Sequence, residues 1–123
     1  MAIESYRDLK VWQVGMELAA ACYKLTATFP RDEIFGMTSQ IRRSASSVPA
    51  NIAEGYGRES TGAYVQFLRT AQGSLKELET HLLLSARVGL CSEEAVTAPL
   101  EMAEELGRML RSLIRKLQSK VKP

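Results

Sequence analysis

Apolar residues in the third quarter of the chain recur at alternating intervals of four and three, which place them on one face of a helix. The repeat suits packing against neighbouring helices at a shallow crossing angle. It predicts a helix whose apolar face other helices must cover. Gly73 lies inside this segment, where glycine costs about 1 kcal/mol relative to alanine, so we expect another backbone to approach closely there. The residues of the repeat are Tyr64, Leu68, Ala71, Leu75, Leu78 and Leu82.

Three further segments carry a helical apolar pattern, and short turns separate all four. Helices joined by short turns run antiparallel to their neighbours in sequence. The sequence therefore predicts an all-α fold, an up-down-up-down antiparallel four-helix bundle, in a single domain over residues 1–123. The predicted helices cover about residues 9–28, 33–56, 62–88 and 93–118.

The composition limits the location and class of the protein. Of its 123 residues, 46% are hydrophobic and 24% are charged, which fits one folded helical domain. We expect no membrane span, because no run approaches 18 uninterrupted apolar residues. No signal peptide is visible at the N-terminus. Cys22 and Cys91 sit in apolar patterns and are expected to stay reduced, as in a cytoplasmic protein.

The most distinctive stretch is QIRRSASSVPANIAEGYGR, at residues 40–58. An apolar face of the second predicted helix includes Ile34, Ile41 and Ile52, and a polar stripe runs apart from it. The stripe is either a solvated face or a polar seam against another helix or subunit, and the many short side chains nearby favour a seam. The residues of the stripe are Gln40, Arg43, Ser47, Asn51 and Glu54.

Pro49 lies inside this predicted helix and cannot donate a hydrogen bond to the carbonyl of Ala45. The helix either breaks at the proline or continues with a kink, and the unbroken apolar phase favours the kink. Gly55 and Gly57 are expected to stop the helix, because glycine readily adopts the left-handed conformation of a C-terminal cap.

Arg42 and Arg43 are expected to form ion pairs with Glu77 or Glu79 of the third helix, or with a neighbouring subunit. The polar side chains of Asn51 and Glu54 are suited to hydrogen-bond with backbone groups that lack partners around Pro49 and at the helix end. The motif is therefore assigned a structural or oligomer-forming role. The residues given this role are Gln40, Arg42, Arg43, Ser47, Pro49, Asn51, Glu54 and Gly55.

The 40–58 stretch, together with DLKVWQ at 8–13, FPRDEIFGM at 29–37 and FLRTAQGSLKELETHL at 67–82, resembles a bacterial family. The family comprises four-helix-bundle proteins encoded in intervening sequences of 23S ribosomal RNA genes. The resemblance covers about residues 6–117 and implies a bundle that assembles as a homo-oligomeric ring, a homopentamer. The chain is also similar to the accessory variability protein of diversity-generating retroelements, which binds nucleic acid through a basic surface.

No catalytic or metal-binding set stands out. His81 is the only histidine and no orienting partner pattern accompanies it. The Glu-x-x-His motif of di-metal bundle sites does not occur. Gly55 and Gly57 lack the remaining glycines and the preceding strand of a phosphate loop. We expect no enzyme activity, no cofactor, no metal and no small-molecule substrate.

Charge is concentrated at the C-terminal end. Residues 1–105 contain 10 Lys/Arg and 14 Asp/Glu, whereas residues 106–123 contain 6 Lys/Arg and no acid. These cations either complement the negative end of the helix dipole or form a strip that contacts phosphates of RNA or DNA. No aromatic residue interleaves with them, so base stacking is not expected. The candidate nucleic-acid-binding residues are Arg108, Arg111, Arg115, Lys116, Lys120 and Lys122.

The sequence thus predicts a non-enzymatic oligomeric protein with sequence-independent nucleic-acid binding through its basic last helix. The alternative is a protein–protein adaptor or scaffold with no nucleic-acid role.

Overall fold

The computed structural model of the chain describes residues 2–121, and the side chains of residues 2–120. Four long α-helices make up most of this range, which contains no β-strand. Short 3-10 helices at Tyr6–Asp8 and Arg31–Glu33 precede the first two of them. The α-helices are α1 (Lys10–Thr26), α2 (Met37–Tyr56), α3 (Thr61–Arg87) and α4 (Glu93–Val121).

Each α-helix packs against two others, in the cyclic order α1–α2–α3–α4 and back to α1. On the edge between α2 and α3, Arg43 meets Glu77, whereas Gly55 meets Phe67. Residue numbers rise along α2 as those of its partners fall along α3, so these helices are antiparallel. Short connections reverse the chain again between α3 and α4. The predicted antiparallel four-helix bundle is confirmed.

The core consists largely of the apolar faces predicted from the sequence. Ile34 is an exception, because it lies in the connection before α2 and is 52% exposed. Cys22 is fully buried, and both cysteines are free thiols. Within the described range, no helix is both long and apolar enough to cross a bilayer. The predicted core residues that are at most 1% exposed include Ile41, Ala45, Val48, Ile52, Leu68, Ala71, Leu75, Leu78, Leu82, Leu106 and Leu110.

The second α-helix begins at Met37, four residues later than predicted. Glu33 belongs to the preceding 3-10 helix, and Gly36 occupies the N-cap position with φ −110° and ψ −117°. The backbone N–H of Met37 donates to Oε1 of Glu33 over 3.0 Å. The adjacent acidic residue, Asp32, has no such role, because the 3-10 turn brings Glu33 to the helix end.

The fourth α-helix is longer than predicted and runs through Pro99 without interruption from Glu93 to Val121. Its first turn is fixed before the proline, since Oγ of Ser92 accepts a hydrogen bond from the N–H of Ala95. Val96, 3% exposed, anchors the same turn in the core. Pro99 therefore neither follows a separate short turn nor begins a later helix.

Pro49 does not break α2, which is one α-helix from Met37 to Tyr56, as the favoured interpretation requires. Pro49 is buried against α1, where a Cβ added to Gly15 would lie 3.5 Å from the Pro49 Cβ. The side-chain amide of Asn51 donates to the carbonyl oxygen of Ser47 over 2.8 Å. The motif thus places the rigid ring of Pro49 in the core. The amide of Asn51 supports the adjacent helical turn on the polar side of α2.

Neither Gly55 nor Gly57 adopts a left-handed conformation, so the predicted capping role is wrong. Gly55 lies within α2, and Gly57 follows it with φ −77°. A Cβ at Gly55 would lie 2.6 Å from the Phe67 Cβ, so glycine is needed here for close packing of α2 on α3. Gly73 shows the reverse, because among the described residues outside its own turn nothing would lie within 4 Å of its added Cβ, and the expected close backbone is not found there.

The two glycines generate a paired prediction. Gly55→Ala should destabilise the fold by about 1–3 kcal/mol, because the Phe67 Cβ and the Tyr64 backbone leave no room for the methyl group. Gly73→Ala should stabilise it by about 0.5–1 kcal/mol, because the site is open and alanine favours the helix. Urea unfolding at one fixed protein concentration measures both. Equal effects of the two substitutions would contradict the packing argument.

Candidate functional site

The polar stripe of α2 lies along the edge that α2 shares with α3. NH2 of Arg43 donates to Oε2 of Glu77 over 2.7 Å. One turn nearer the C-terminus of α2, the hydroxyls of Ser47 and Ser74 are hydrogen-bonded over 2.8 Å. The stripe is therefore a polar seam between helices of one chain, and the predicted pairing of Arg43 with Glu77 is confirmed.

Arg42 faces the opposite edge of α2, toward α1. Its Nε donates to Oγ1 of Thr26 over 2.8 Å, and its guanidinium lies 4.6 Å from the ring centroid of Tyr23. The expected pairing of Arg42 with Glu77 or Glu79 was wrong, because consecutive helical residues point about 100° apart. Glu79 instead accepts from Nζ of Lys76 at 3.1 Å.

The C-terminal part of the motif is also held within the chain. Glu54 forms an ion pair with Arg58 at 3.4 Å, one turn away. The guanidinium of Arg58 lies 4.7 Å from the ring centroid of Phe67, on α3. Gln40 accepts from NH2 of Arg43 over 2.7 Å at the other end of the stripe. Within one chain, the motif acts as a clamp that joins α2 to both neighbouring helices.

Glu77 is the electrostatic centre of the clamp. Its Oε2 lies 3.2 Å from Nε2 of His81 and 2.7 Å from the Arg43 guanidinium. The hydrogen bond with His81 and the charge of Arg43 lower the pKa of Glu77 below its ordinary value, although partial desolvation opposes them. Residues 2–121 contain no group of three His, Cys, Asp or Glu side chains that could hold one metal ion. The cluster therefore links a cationic side chain of α2 to a carboxylate of α3.

Burial raises the pKa of the Cys22 thiol to about 12, and it also raises the pKa of Cys91. A thiol reacts as its thiolate, so neither environment activates the sulfur.

The predicted basic strip is exposed along the outer side of α4. Arg108 is partly neutralised by Glu104, at 3.1 Å, whereas Arg111 forms none of the ion pairs among the described residues. Lys122 lies outside the described residues. The other exposed members of the strip are Arg115, Lys116 and Lys120.

Two grooves flank α4 and bring further cations to the strip. The groove beside α1, about 410 Å³, is lined by Lys10 together with Arg108 and Lys116, above an apolar floor. The groove beside α3, about 300 Å³, is lined by Lys76 and Arg111. Lys10 and Lys76 were not predicted from the sequence, because each is an isolated cation on its own helix and only the bundle places it beside α4. We name the strip and these two lysines the basic face.

Residues 7–112 match the profile of the family described as 23S rRNA-intervening sequence protein. A solved structure of a protein of unknown function, from the S23 ribosomal protein family of Bacteroides thetaiotaomicron, is similar with a TM-score of 0.76 and 27% sequence identity. The similarity covers 85% of this chain and 97% of that protein. No curated protein matches the chain.

The lowered pKa of Glu77 predicts a pH dependence of stability. The pKa is lower in the folded state, so the ionised clamp stabilises the fold above the ordinary carboxyl pKa of 4.5 and loses this effect as the pH falls through the folded pKa. The contribution should be under about 1 kcal/mol, because the pair is solvent-exposed. Glu77→Gln should therefore flatten the acid side of the unfolding free energy measured in urea from pH 7 to pH 3.

Glu101→Gln provides the control, since it removes one exposed carboxylate of α4 that belongs to none of the ion pairs among the described residues. It should retain the wild-type pH profile. If Glu77→Gln left the pH profile of the unfolding free energy unchanged, the charges of the clamp would contribute nothing to stability.

Proposed function

Because this chain belongs to the 23S rRNA-intervening sequence protein family, we propose that it is a non-enzymatic protein that assembles with copies of itself and binds RNA or DNA without sequence preference. The proposed assembly is the homopentameric ring implied by the resemblance. We also predict a similarity to the accessory protein of diversity-generating retroelements. This predicted similarity is a second reason to propose nucleic-acid binding.

The basic face is the observation that carries the nucleic-acid proposal. Three helices contribute to it: Lys10 comes from α1, Lys76 from α3, and the remaining cations from α4. Positive side chains that neutralise phosphates release counterions, and this release drives sequence-independent binding. A ring would repeat the face on each subunit, so that one polynucleotide could engage several copies with much greater avidity.

The grooves beside α4 also indicate how the polymer would be recognised. Neither groove is lined by an aromatic side chain, so the two grooves offer no platform on which bases could stack. The exposed lysine and arginine side chains beside α4 suit contacts with the backbone of a polynucleotide. We therefore propose phosphate recognition, with no reading of base edges.

A non-enzymatic role is part of the proposal. Arg43, Glu77 and His81 are engaged with one another across the α2–α3 edge, which supports a structural use for the polar groups that sequence analysis singled out. We propose that the protein acts in the cytoplasm, where the free thiols Cys22 and Cys91 would stay reduced.

The exposed apolar side chains favour the alternative, a protein–protein adaptor without a nucleic-acid role. Phe35 is 94% exposed, and Leu83 and Val88 are 58% and 60% exposed. Such side chains mark protein contact surfaces when they cluster. They fit self-assembly as well, so binding to polynucleotide is the property that separates the two functions.

The test is fluorescence anisotropy with a labelled single-stranded RNA and a labelled DNA duplex. If about four cations contact phosphates, affinity for the duplex should fall about 10²-fold between 50 and 200 mM salt. The double substitution Arg111→Glu with Arg115→Glu should abolish binding at 200 mM salt. Its matched control, Lys24→Glu with Arg31→Glu, makes the same change in charge at exposed positions near the α1–α2 connection and should retain binding.

Absence of binding by the wild-type protein at 50 mM salt would refute the nucleic-acid proposal and favour the adaptor. Equal losses in the variant and the control would assign any binding to net charge and not to the basic face. Light scattering on the same samples tests the assembly, since a pentamer should have five times the chain mass of 13.6 kDa.

A further inference from the structure

The exposed apolar side chains concentrate at one end of the bundle. At this end α1 connects to α2, and α3 connects to α4. Phe35, in the α1–α2 connection, is the most exposed of them, at 94%. Six of the eight large hydrophobic residues that are exposed among the described residues lie here, which is more than isolated surface residues would explain. They are Tyr23, Ile34, Phe35, Leu83, Leu84 and Val88.

A groove of about 300 Å³ lies on the surface of α3 at the same end. It is lined by Thr80, Leu83, Leu84 and Arg87, so its walls are mainly apolar with one cation at the rim. All four lining residues belong to α3, and three of them, Leu83, Leu84 and Arg87, lie in its last two turns. We name these four residues the α3 groove.

The exposed phenylalanine and the α3 groove do not meet within one chain. Phe35 is 94% exposed, and every residue that lines the groove belongs to α3. The groove of one chain is therefore open to Phe35 of a second copy.

We infer that Phe35 of one copy inserts into the α3 groove of the next copy. This inference rests on the proposed self-assembly and specifies its contact surface. Both surfaces are on every chain and differ from each other, so the contact is head-to-tail, which generates a closed ring when the rotation between copies permits closure.

Charge supports a second copy as the occupant. Asp32 lies three residues before Phe35 and is exposed, and Arg87 lines the groove. Neither takes part in the ion pairs among the described residues. Insertion of the aromatic ring would bring the carboxylate of one copy toward the guanidinium of the next. A buried aromatic anchor flanked by such a pair is typical of the residues that dominate interface affinity.

Sedimentation velocity over a concentration series tests the contact. Phe35→Ala and, independently, Leu83→Glu should raise the concentration at which half of the assembly dissociates by at least about tenfold. Both side chains are more than half exposed, so the helical circular dichroism and the melting of the separated chain should change little. Met16→Ala is the matched control, since Met16 is 46% exposed on α1, away from this end, and should leave assembly unchanged.

The outcomes separate the inference from the proposed assembly. If the wild-type protein assembles and Phe35→Ala assembles equally well, the inference is overturned while the assembly stands. If the wild-type protein is monomeric at all concentrations, both are overturned. Loss in Phe35→Ala and Leu83→Glu, with retention in Met16→Ala, supports the inference.

Disulfide trapping tests the head-to-tail geometry. In a Cys91→Ser background, one chain carries Asp32→Cys and a second carries Arg87→Cys, while the native Cys22 stays buried. Oxidation of the mixed chains should give covalent dimers, and oxidation of either chain alone should give none. Dimers from one chain type alone, or none from the mixture, would overturn the proposed geometry.

Discussion

The close approach of α2 to α3 is the constraint on which the remaining architecture depends. Gly55 permits it, because any larger residue would meet the Cβ of Phe67. With the helices this close, Ser47 can reach Ser74 and Arg43 can reach Glu77. These contacts fix the register of α3 on α2. Since α4 packs on the opposite flank of α3, the same register sets which α3 side chains border α4.

The sequence was sufficient to predict the elements and most of the core. A strict alternation of three- and four-residue intervals, as in Leu68 to Leu82, leaves few alternatives to a helix with one buried face. The helix ends were less predictable, because they depend on local hydrogen bonds. Glu33 and not Asp32 meets the first N–H of α2, and this choice follows from a 3-10 turn that the apolar pattern does not encode.

The candidate site was predictable only where its residues share one helix. Arg111 and Arg115 lie close in sequence, so their common face follows from helical spacing. Lys10 and Lys76 join them through the cyclic order of the bundle, which no local pattern specifies. The same limit explains why the roles of the glycines could not be predicted. Gly55 and Gly73 have similar sequence settings, and only tertiary packing distinguishes the crowded position from the open one.

The charge of α4 separates the two proposed activities in space. Its 29 residues span about 43 Å at the standard helical rise. Glu93 and Glu94 begin the helix at the end that carries Phe35 and the α3 groove, whereas the basic residues follow from Arg108 onward. Carboxylates near the apolar end repel phosphates and the distal cations attract them. A polynucleotide would therefore engage the α4 cations without competing for the apolar end, so substitutions among these cations should weaken nucleic-acid binding and leave assembly intact.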